Sequence, residues 1–350
     1  MQAVIATETD RARFDAFVAS QPHGDALQSW AWGEVKRASG WVPIRLMVLD
    51  DSDSIVATCQ MLRLTPLRGV PPIVYAPRGP VLGADDQATV QAVLQAVRAH
   101  SGNAYLFTCD PPLSAQDARG LLAAGMQHVT TEGFGGVQPR AVMTLNLTPG
   151  ADQVFSGFRS KWRYNCRLAE RKGVKIREGS REDLPAFYEI LTETAKRDRF
   201  LVRGLSYFER IWDELGAAGM LRLLLAELEG QPLAGIMLFQ FGSRVTYVYG
   251  ASSNSHREVM PNHLLQWTAI RDAAEAGFAT YDFRGVSPEV NGEPVEEHLA
   301  GLNRFKAGFG ASYQEYVGTL DLPLRRGWYW LWRTLGPKVL ELRRRRAGGH

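Results

Sequence analysis

Residues 221–252 read LRLLLAELEGQPLAGIMLFQFGSRVTYVYGAS. Three apolar, β-branched or aromatic runs are separated by Glu229-Gly230 and Gly242-Ser243, the two-residue signals of tight hairpin turns, so the segment predicts a three-stranded meander. Before it, SYFERIWDELGAAG (206–219) has the apolar spacing of a helix and ends on a glycine. After it come the helix LLQWTAIRDAAEAG (264–277), the strand ATYDFRGV (279–286), the helix LNRFKAGFGA (302–311) and the strand YQEYVGTLDL (313–322).

The same order occurs earlier in the chain. The helix LQSWAWGEVKRASG (27–40) leads into IRLMVLDD and IVATCQMLRL, which read as a hairpin. The helix VQAVLQAVRAHSG (90–102), the strand AYLFTCDPP (104–112), then GLLAAGMQHV (120–129) and AVMTLNL (141–147) complete the match. Three blocks repeated in one order imply an internal duplication. The first boundary is expected near residue 150. Residues 1–150 plus about 318–350 form the first domain, and 151–317 the second. Between the halves, ADQVFSGFRSKWRYNCRLAERKG (151–173) reads as one connecting helix, with Phe155, Phe158, Trp162 and Cys166 or Asn165 at helical spacing.

Composition supports two domains. The chain has 350 residues, 45% of them hydrophobic and 22% charged, as in globular proteins. No signal-peptide pattern and no apolar run near the ~20 residues of a membrane span is present, so the inside of the cell is the expected address. Cys59, Cys109 and Cys166 are three and well separated, which fits reduced core thiols better than disulfides or a metal site. The net charge is +3, with positive charge gathered in Arg159–Lys175 and Arg343–Arg346.

The chain carries no nucleophile elbow, P-loop, dinucleotide fingerprint or HExxH. GLNRFKAGFG (301–310) stands out instead: Lys306 sits beside Phe305 among Gly301, Gly308 and Gly310. Glycines admit close backbone approach, and a lysine there stabilises an oxyanion or a phosphate, unless the glycines serve as helix caps. YDFRGV (281–286) ends a strand with Asp282 and Arg284, which form a site or a structural pair. Its first-half counterpart is CDPP (109–112), where Asp110 acts as a base or caps a turn. Strand alternation puts Tyr247 and Tyr249 on one face. HREVMPNHLLQW (256–267) then enters a helix whose N-terminal N–H groups form an anion site or follow an ordinary loop capped by Asn262. KRDRFLVRGLSYF (196–208) offers arginines suited to carboxylate or phosphate, or a solvated charged face.

Taken in order, QSWAWGEVK (28–36), YAPRGPV (75–81), RSKWRYNCRLAERKGV (159–174), ETAKRDRF (193–200) with Arg203 and Tyr207, YGAS (249–252), MPNHLLQW (260–267), YDFRGV and GLNRFKAGFG resemble the Fem family of peptidoglycan bridge-forming aminoacyltransferases. The resemblance spans nearly the whole chain. It implies an α/β (α+β) fold of tandem acetyltransferase-like (GNAT-type) domains, in the compact form without a coiled-coil insertion. It also implies a donor, aminoacyl-tRNA, and an acceptor, a lipid-linked or UDP-linked peptidoglycan precursor carrying a diamino acid, with no cofactor. Of the amino acids that could be transferred, glycine is favoured over alanine and serine.

By the same resemblance Lys306 meets the tRNA 3′ end and the oxyanion, beside the Phe305 main chain. Lys36, Arg203, Tyr207 and Tyr249 hold the precursor, and Arg284 is counted with them. Asp110 stands where a catalytic aspartate has been proposed. The amine's proton goes to Asp110, to water or to substrate. The aromatic and basic segment 326–346 has the composition of an interfacial helix on anionic lipid, or packs on the first domain. A monomer is expected. The alternatives are an acyl-CoA-dependent N-acyltransferase, against which the R/Q-x-x-G-x-G/A loop is missing, and a non-catalytic RNA- or wall-precursor-binding module.

Overall fold

The computed structural model describes residues 1–66, 69–84, 86–129, 137–198, 200–331 and 333–334. Arg199, Trp332 and Arg343–Arg346, singled out from the sequence, lie outside them. The first half of the chain forms strands β1 (Gln2–Ile5), β2 (Val42–Leu49), β3 (Ile55–Leu64), β4 (Ile73–Ala76), β5 (Val81–Leu82), β6 (Leu106–Cys109), β7 (Gln127–Val129) and β8 (Ala141–Asn146). Its helices are α1 (Arg11–Ser20), α2 (Trp30–Arg37), α3 (Gln87–His100) and α4 (Arg119–Ala123). The second half adds α5 (Ala151–Gly157), α6 (Ser160–Arg171), α7 (Leu184–Asp198), α8 (Leu205–Ile211), α9 (Pro261–Glu275) and α10 (Ala300–Ala307). Its strands are β9 (Lys175–Glu178), β10 (Leu221–Leu228), β11 (Gln231–Phe241), β12 (Arg244–Ser252), β13 (Thr280–Gly285), a small hairpin β14 (Glu289–Val290) and β15 (Glu293–Pro294), then β16 (Ser312–Glu315) and β17 (Thr319–Pro323).

The expected meander is β10-β11-β12, paired antiparallel. Two sheets of matching order result. The first runs β1-β2-β3-β4-β6-β17-β7, with β5 on β3, and the second β9-β10-β11-β12-β13-β8-β16. Each contains one parallel pair at the same place, β4 with β6 and β12 with β13. The duplication is therefore real, with one exchange inside it. Strand β8, just before residue 150, hydrogen-bonds into the second sheet between β13 and β16. Strand β17 returns to the first sheet between β6 and β7. The sequence segment YQEYVGTLDL thus holds two strands, not one, because Gly318 at φ +81° turns the chain between the sheets.

Four main apolar clusters sandwich the sheets. One lies under α3 and α4, another between α1, Trp30 and the first sheet. The second sheet is covered on one face by α5, α6, α9 and α10, and on the other by α7 and α8. The last cluster also takes Leu27, Ala31, Trp32 and Val35 from around α2, so the halves share a core. Each fully buried Phe or Leu there contributes roughly 1.5–3 kcal/mol.

Helix α2 is fixed by capping and by a buried arginine. The Ser29 hydroxyl accepts from Trp32 N. Arg45, stacked 3.8 Å over the Trp30 ring, donates to Trp30 O and pairs with Glu34 at 2.7 Å. Gln28 donates to Pro77 O and accepts from Gln60 N, tying the start of α2 to the loop after β4. This accounts for Gln28, Ser29 and Glu34 in QSWAWGEVK.

The connecting helix is two helices. Phe158 is extended (ψ 148°) and Arg159 N donates to Gly308 O at 2.9 Å, so the chain breaks there to seat Phe158 among Phe155, Trp267 and Phe309. Helix α9 is not capped by Asn262, whose amide bonds Ser252; it begins at Pro261 after Met260 in the left-handed region. Beyond β17, Tyr329 packs on Tyr105 and Leu106 and donates to Asp321, while Trp330 is 68% exposed. No helix among the described residues is long and apolar enough to cross a membrane.

Candidate active site

Parallel strands β12 and β13 pair from Arg244–Thr246 to Thr280–Asp282 and then part. Lys306, in the last turn of α10, fills the wedge. Its Nζ donates to Phe283 O and Gly285 O, both at 2.6 Å, and lies 5.8 Å from the Tyr247 ring. The side chain is 4% exposed, so α10 is no surface helix at this point. Burial lowers its pKa to about 7, Asp282 raises it and Arg284 lowers it again. An ammonium has three donors; two are spent on carbonyls and one remains.

The two carbonyls face Lys306 because β13 bulges against β8 between Asp282 and Gly285. Asp282 sets the bulge. Its carboxylate accepts from Arg284 N at 2.6 Å, with Arg284 at φ +58°, and pairs with Arg244 at 3.2 Å. The Asp282–Arg284 relation is therefore backbone capture. The Arg284 guanidinium instead donates to Gln138.

Asp110 repeats the device at the end of β6. Buried to 1% exposure, it accepts from Tyr75 OH at 2.6 Å and Arg78 N at 2.8 Å, with Arg78 at φ +54°. Burial raises its pKa. A left-handed non-glycine residue costs about 1–3 kcal/mol and persists where its surroundings enforce it. The two aspartates are linked. Arg78 lies over Tyr316, Tyr316 bonds Arg244, and Arg244 pairs with Asp282. A second link runs from Tyr75 through Gln138 to Arg284.

Lys36, Arg203, Tyr207 and Tyr249 form one cluster. Lys36 Nζ lies 5.4 Å from the Trp32 ring and 5.6 Å from the Tyr207 ring. Arg203 lies 5.8 Å from the same Tyr207 ring. Burial first, then Arg203, brings the Lys36 pKa down to about 8. Tyr207 and Tyr249 share a hydrogen bond, and the Arg284 charge reaches both of them as well as Lys306. Arg284 therefore stands between the cation–tyrosine cluster and the Lys306 wedge.

Tyr247 and Tyr249 do not share a face. The register of β11 with β12 slips at Met237/Leu238, leaving Val248 as a bulge. Tyr247 therefore packs on the α9–α10 side, its hydroxyl over Gly250, and Tyr249 turns to Phe208 at 5.1 Å on the α8 side.

Phe305 is held from behind. Trp162 Nε1 donates to Phe305 O at 3.0 Å, and His263 sits 5.3 Å from the Phe305 ring with Asn165 on its Nε2 at 3.1 Å. Gly308 is required by this packing, since a Cβ would meet the Trp162 ring at 2.0 Å. Asp110 belongs to a neighbouring cluster and reaches the others through Tyr75, Gln138 and Arg78. Trp162 stands in RSKWRYNCRLAERKGV as an apolar helix position; sequence reasoning missed Gln138, Arg244 and Tyr316 as contributors. YAPRGPV had flagged Tyr75 and Arg78; nothing local marked the others. A groove of about 760 Å³ between α1 and the β11–β12 turn contains none of these residues.

A model of the FemAB family matches residues 9–231 and 226–336. A lipid II:glycine glycyltransferase of Staphylococcus haemolyticus (strain JCSC1435) is 29% identical over an alignment of 404 positions, gaps included, that covers 93% of this chain and 94% of that protein. The crystal structure of FemX superposes with a TM-score of 0.85 at 27% identity, over 95% of this chain and 99% of FemX. A tandem GNAT protein from the clavulanic acid pathway, 11% identical, superposes at 0.54 over 93% of this chain and 98% of its own, which bears on the fold alone. The tandem acetyltransferase-like fold is thereby established.

Proposed function

The chain belongs to the FemAB family, and on that premise we propose that it moves glycine from aminoacyl-tRNA onto the diamino-acid side chain of a lipid-linked peptidoglycan precursor. It is an aminoacyltransferase of peptidoglycan bridge synthesis. The observation that carries the mechanism is the buried Lys306 ammonium with one free donor, with the Arg284 charge beside it and the Lys36–Arg203 pair beyond.

An aminoacyl ester is already activated, so positioning and oxyanion stabilisation supply most of the acceleration. The neutral acceptor amine attacks the ester carbonyl and a C–N bond forms. The free Lys306 donor meets the oxyanion. The acyl C–O bond to the terminal ribose then breaks, and the proton lost by nitrogen ends on the ribose oxygen, directly or through water. Asp110 already has two donors and is sealed from solvent. We assign it to orienting Arg78 and Tyr75 rather than to taking the proton.

Lys36, Arg203 and Arg284 converge as a diphosphate site would require, with Tyr207 and Tyr249 for sugar and peptide hydroxyls and amides. A lipid-linked acceptor brings the enzyme to the inner face of the plasma membrane. The exposed Trp328, Trp330 and Leu331, within the expected segment 326–346, are the side chains suited to that contact.

The acyl-CoA alternative is disfavoured by the turn before α9. There His256 and Met260, rather than glycines, occupy left-handed positions. The decisive assay is mass spectrometry of precursor incubated with tRNA charged with glycine, alanine or serine. A 57-Da gain from glycyl-tRNA alone is expected, roughly one residue mass per transfer on an acceptor amine. No gain with any charged tRNA, or a gain with acyl-CoA, would remove the proposal.

A further inference from the structure

Helix α6 carries a charge pattern that the site does not use. Between Arg159 and Lys175 the chain has seven cations against one carboxylate, Glu170. Arg163 is spent on the Ser156 and Phe158 carbonyls. Arg159, Lys161, Arg167, Arg171, Lys172 and Lys175 are exposed, and among the described residues none of them forms an ion pair. Elsewhere the surface arginines Arg177, Arg181, Arg197 and Arg222 each have an acidic partner.

Lys161, Tyr164, Arg167 and Arg171 succeed one another at three- and four-residue intervals, so they share one face along a helix roughly 18 Å long. Tyr164, 55% exposed, stands in that face with Arg171 5.6 Å from its ring. The opposite face is committed: Asn165, Cys166 and Ala169 are buried, and Trp162 holds Phe305 O. The unpaired cations thus lie on the back of the helix whose front grips the residue before Lys306.

We propose that the outer face of α6 docks the sugar–phosphate backbone of a double-helical RNA stem whose 3′ end enters the Lys306 wedge. The inference rests on the tRNA-dependent reading and names the surface that reading lacks. Phosphates attract unpaired Lys and Arg without reading sequence, and Tyr164 offers a stacking plate at the edge. An anionic lipid surface is the poorer match. An interfacial helix inserts a Trp, Phe or Leu face, and the apolar face of α6 is already buried against α9.

The test uses the whole enzyme and its triple variant Lys161→Gln/Arg167→Gln/Arg171→Gln, with two donors: glycyl-tRNA and a glycylated dinucleotide carrying only the 3′ end. Since each phosphate contact adds about 0.7–0.9 to the log–log salt slope, the variant should raise KM for glycyl-tRNA about 10- to 100-fold and flatten the slope by ~2. Transfer from the dinucleotide should stay at the wild-type rate, which also shows that the fold is intact. An unchanged KM for glycyl-tRNA overturns the docking surface alone. Equal loss with both donors overturns it too, as does loss confined to binding of phosphatidylglycerol vesicles. Wild-type enzyme inert to both donors removes the tRNA reading, and the surface falls with it.

Discussion

Replacing Lys306 by methionine separates the cost of its charge from its use. The shift from 10.5 to about 7 corresponds to roughly 5 kcal/mol of penalty on the buried ammonium. Methionine removes that penalty at similar length but leaves Phe283 O and Gly285 O without a donor, at about 1–3 kcal/mol each. The two effects nearly cancel, so the variant should fold within ~2 kcal/mol of wild type at pH 7 while losing about 100- to 1000-fold in transfer rate. A pH series sharpens the test. Because the folded pKa lies below the unfolded one, the unfolded chain binds the extra proton between about pH 7 and 10.5. Wild-type stability should therefore gain up to ~1.4 kcal/mol per pH unit from this group as pH rises through that window. Urea unfolding of both proteins from pH 6.5 to 9 should show this gain in wild type and not in the variant. Superimposable slopes would show that Lys306 titrates normally, and a variant keeping a tenth of the wild-type rate would remove it from the reaction centre.

Arg203→Ala should raise KM for the precursor about 10- to 100-fold with kcat little changed, and Tyr207→Phe about 3- to 10-fold. Steady-state kinetics in the precursor checks both, and unchanged KM places the acceptor elsewhere. Gly308→Ala forces a methyl into the Trp162 ring, so it should destabilise by about 1–3 kcal/mol and lower transfer by moving Phe305, read by urea unfolding and single-turnover rates. Asp282→Asn leaves Arg244 without its charge partner and should cost about 3 kcal/mol in thermal unfolding. Asp213→Asn, in an exposed pair with Arg181, should cost less than ~1 kcal/mol.

The duplication was legible because turn glycines and alternating apolar runs are local signals, and each half repeats them. Lys36, Arg203 and Tyr207, far apart in the quoted motifs, lie together in the fold. What the sequence could not disclose were properties of pairing. The Val248 bulge parts Tyr247 from Tyr249, and it arises from register with β11, not from the letters YVY. Gln138, Tyr316 and Arg244 lie in unremarkable segments and matter because three separate strand ends meet. The break at Phe158 is set by the Gly308 carbonyl, about 150 residues downstream. The exchange of β8 and β17 has no signature in either strand, since neither AVMTLN nor TLDLP says which sheet it will join.

That exchange reverses the order in which the protein can be finished during synthesis. Strand β7 has β17 as its sheet partner, and β6 has β17 on one side, roughly two hundred residues later in the chain. The half made first must wait with a gap in its sheet until β17, roughly two hundred residues later, has been made. The half made second finds its borrowed strand, β8, already waiting. A chain made only as far as residue 318 holds every strand of the second sheet and leaves the first one open. Loss of residues 319–323 would likewise take out the strand between β6 and β7 and leave β7 without its partner.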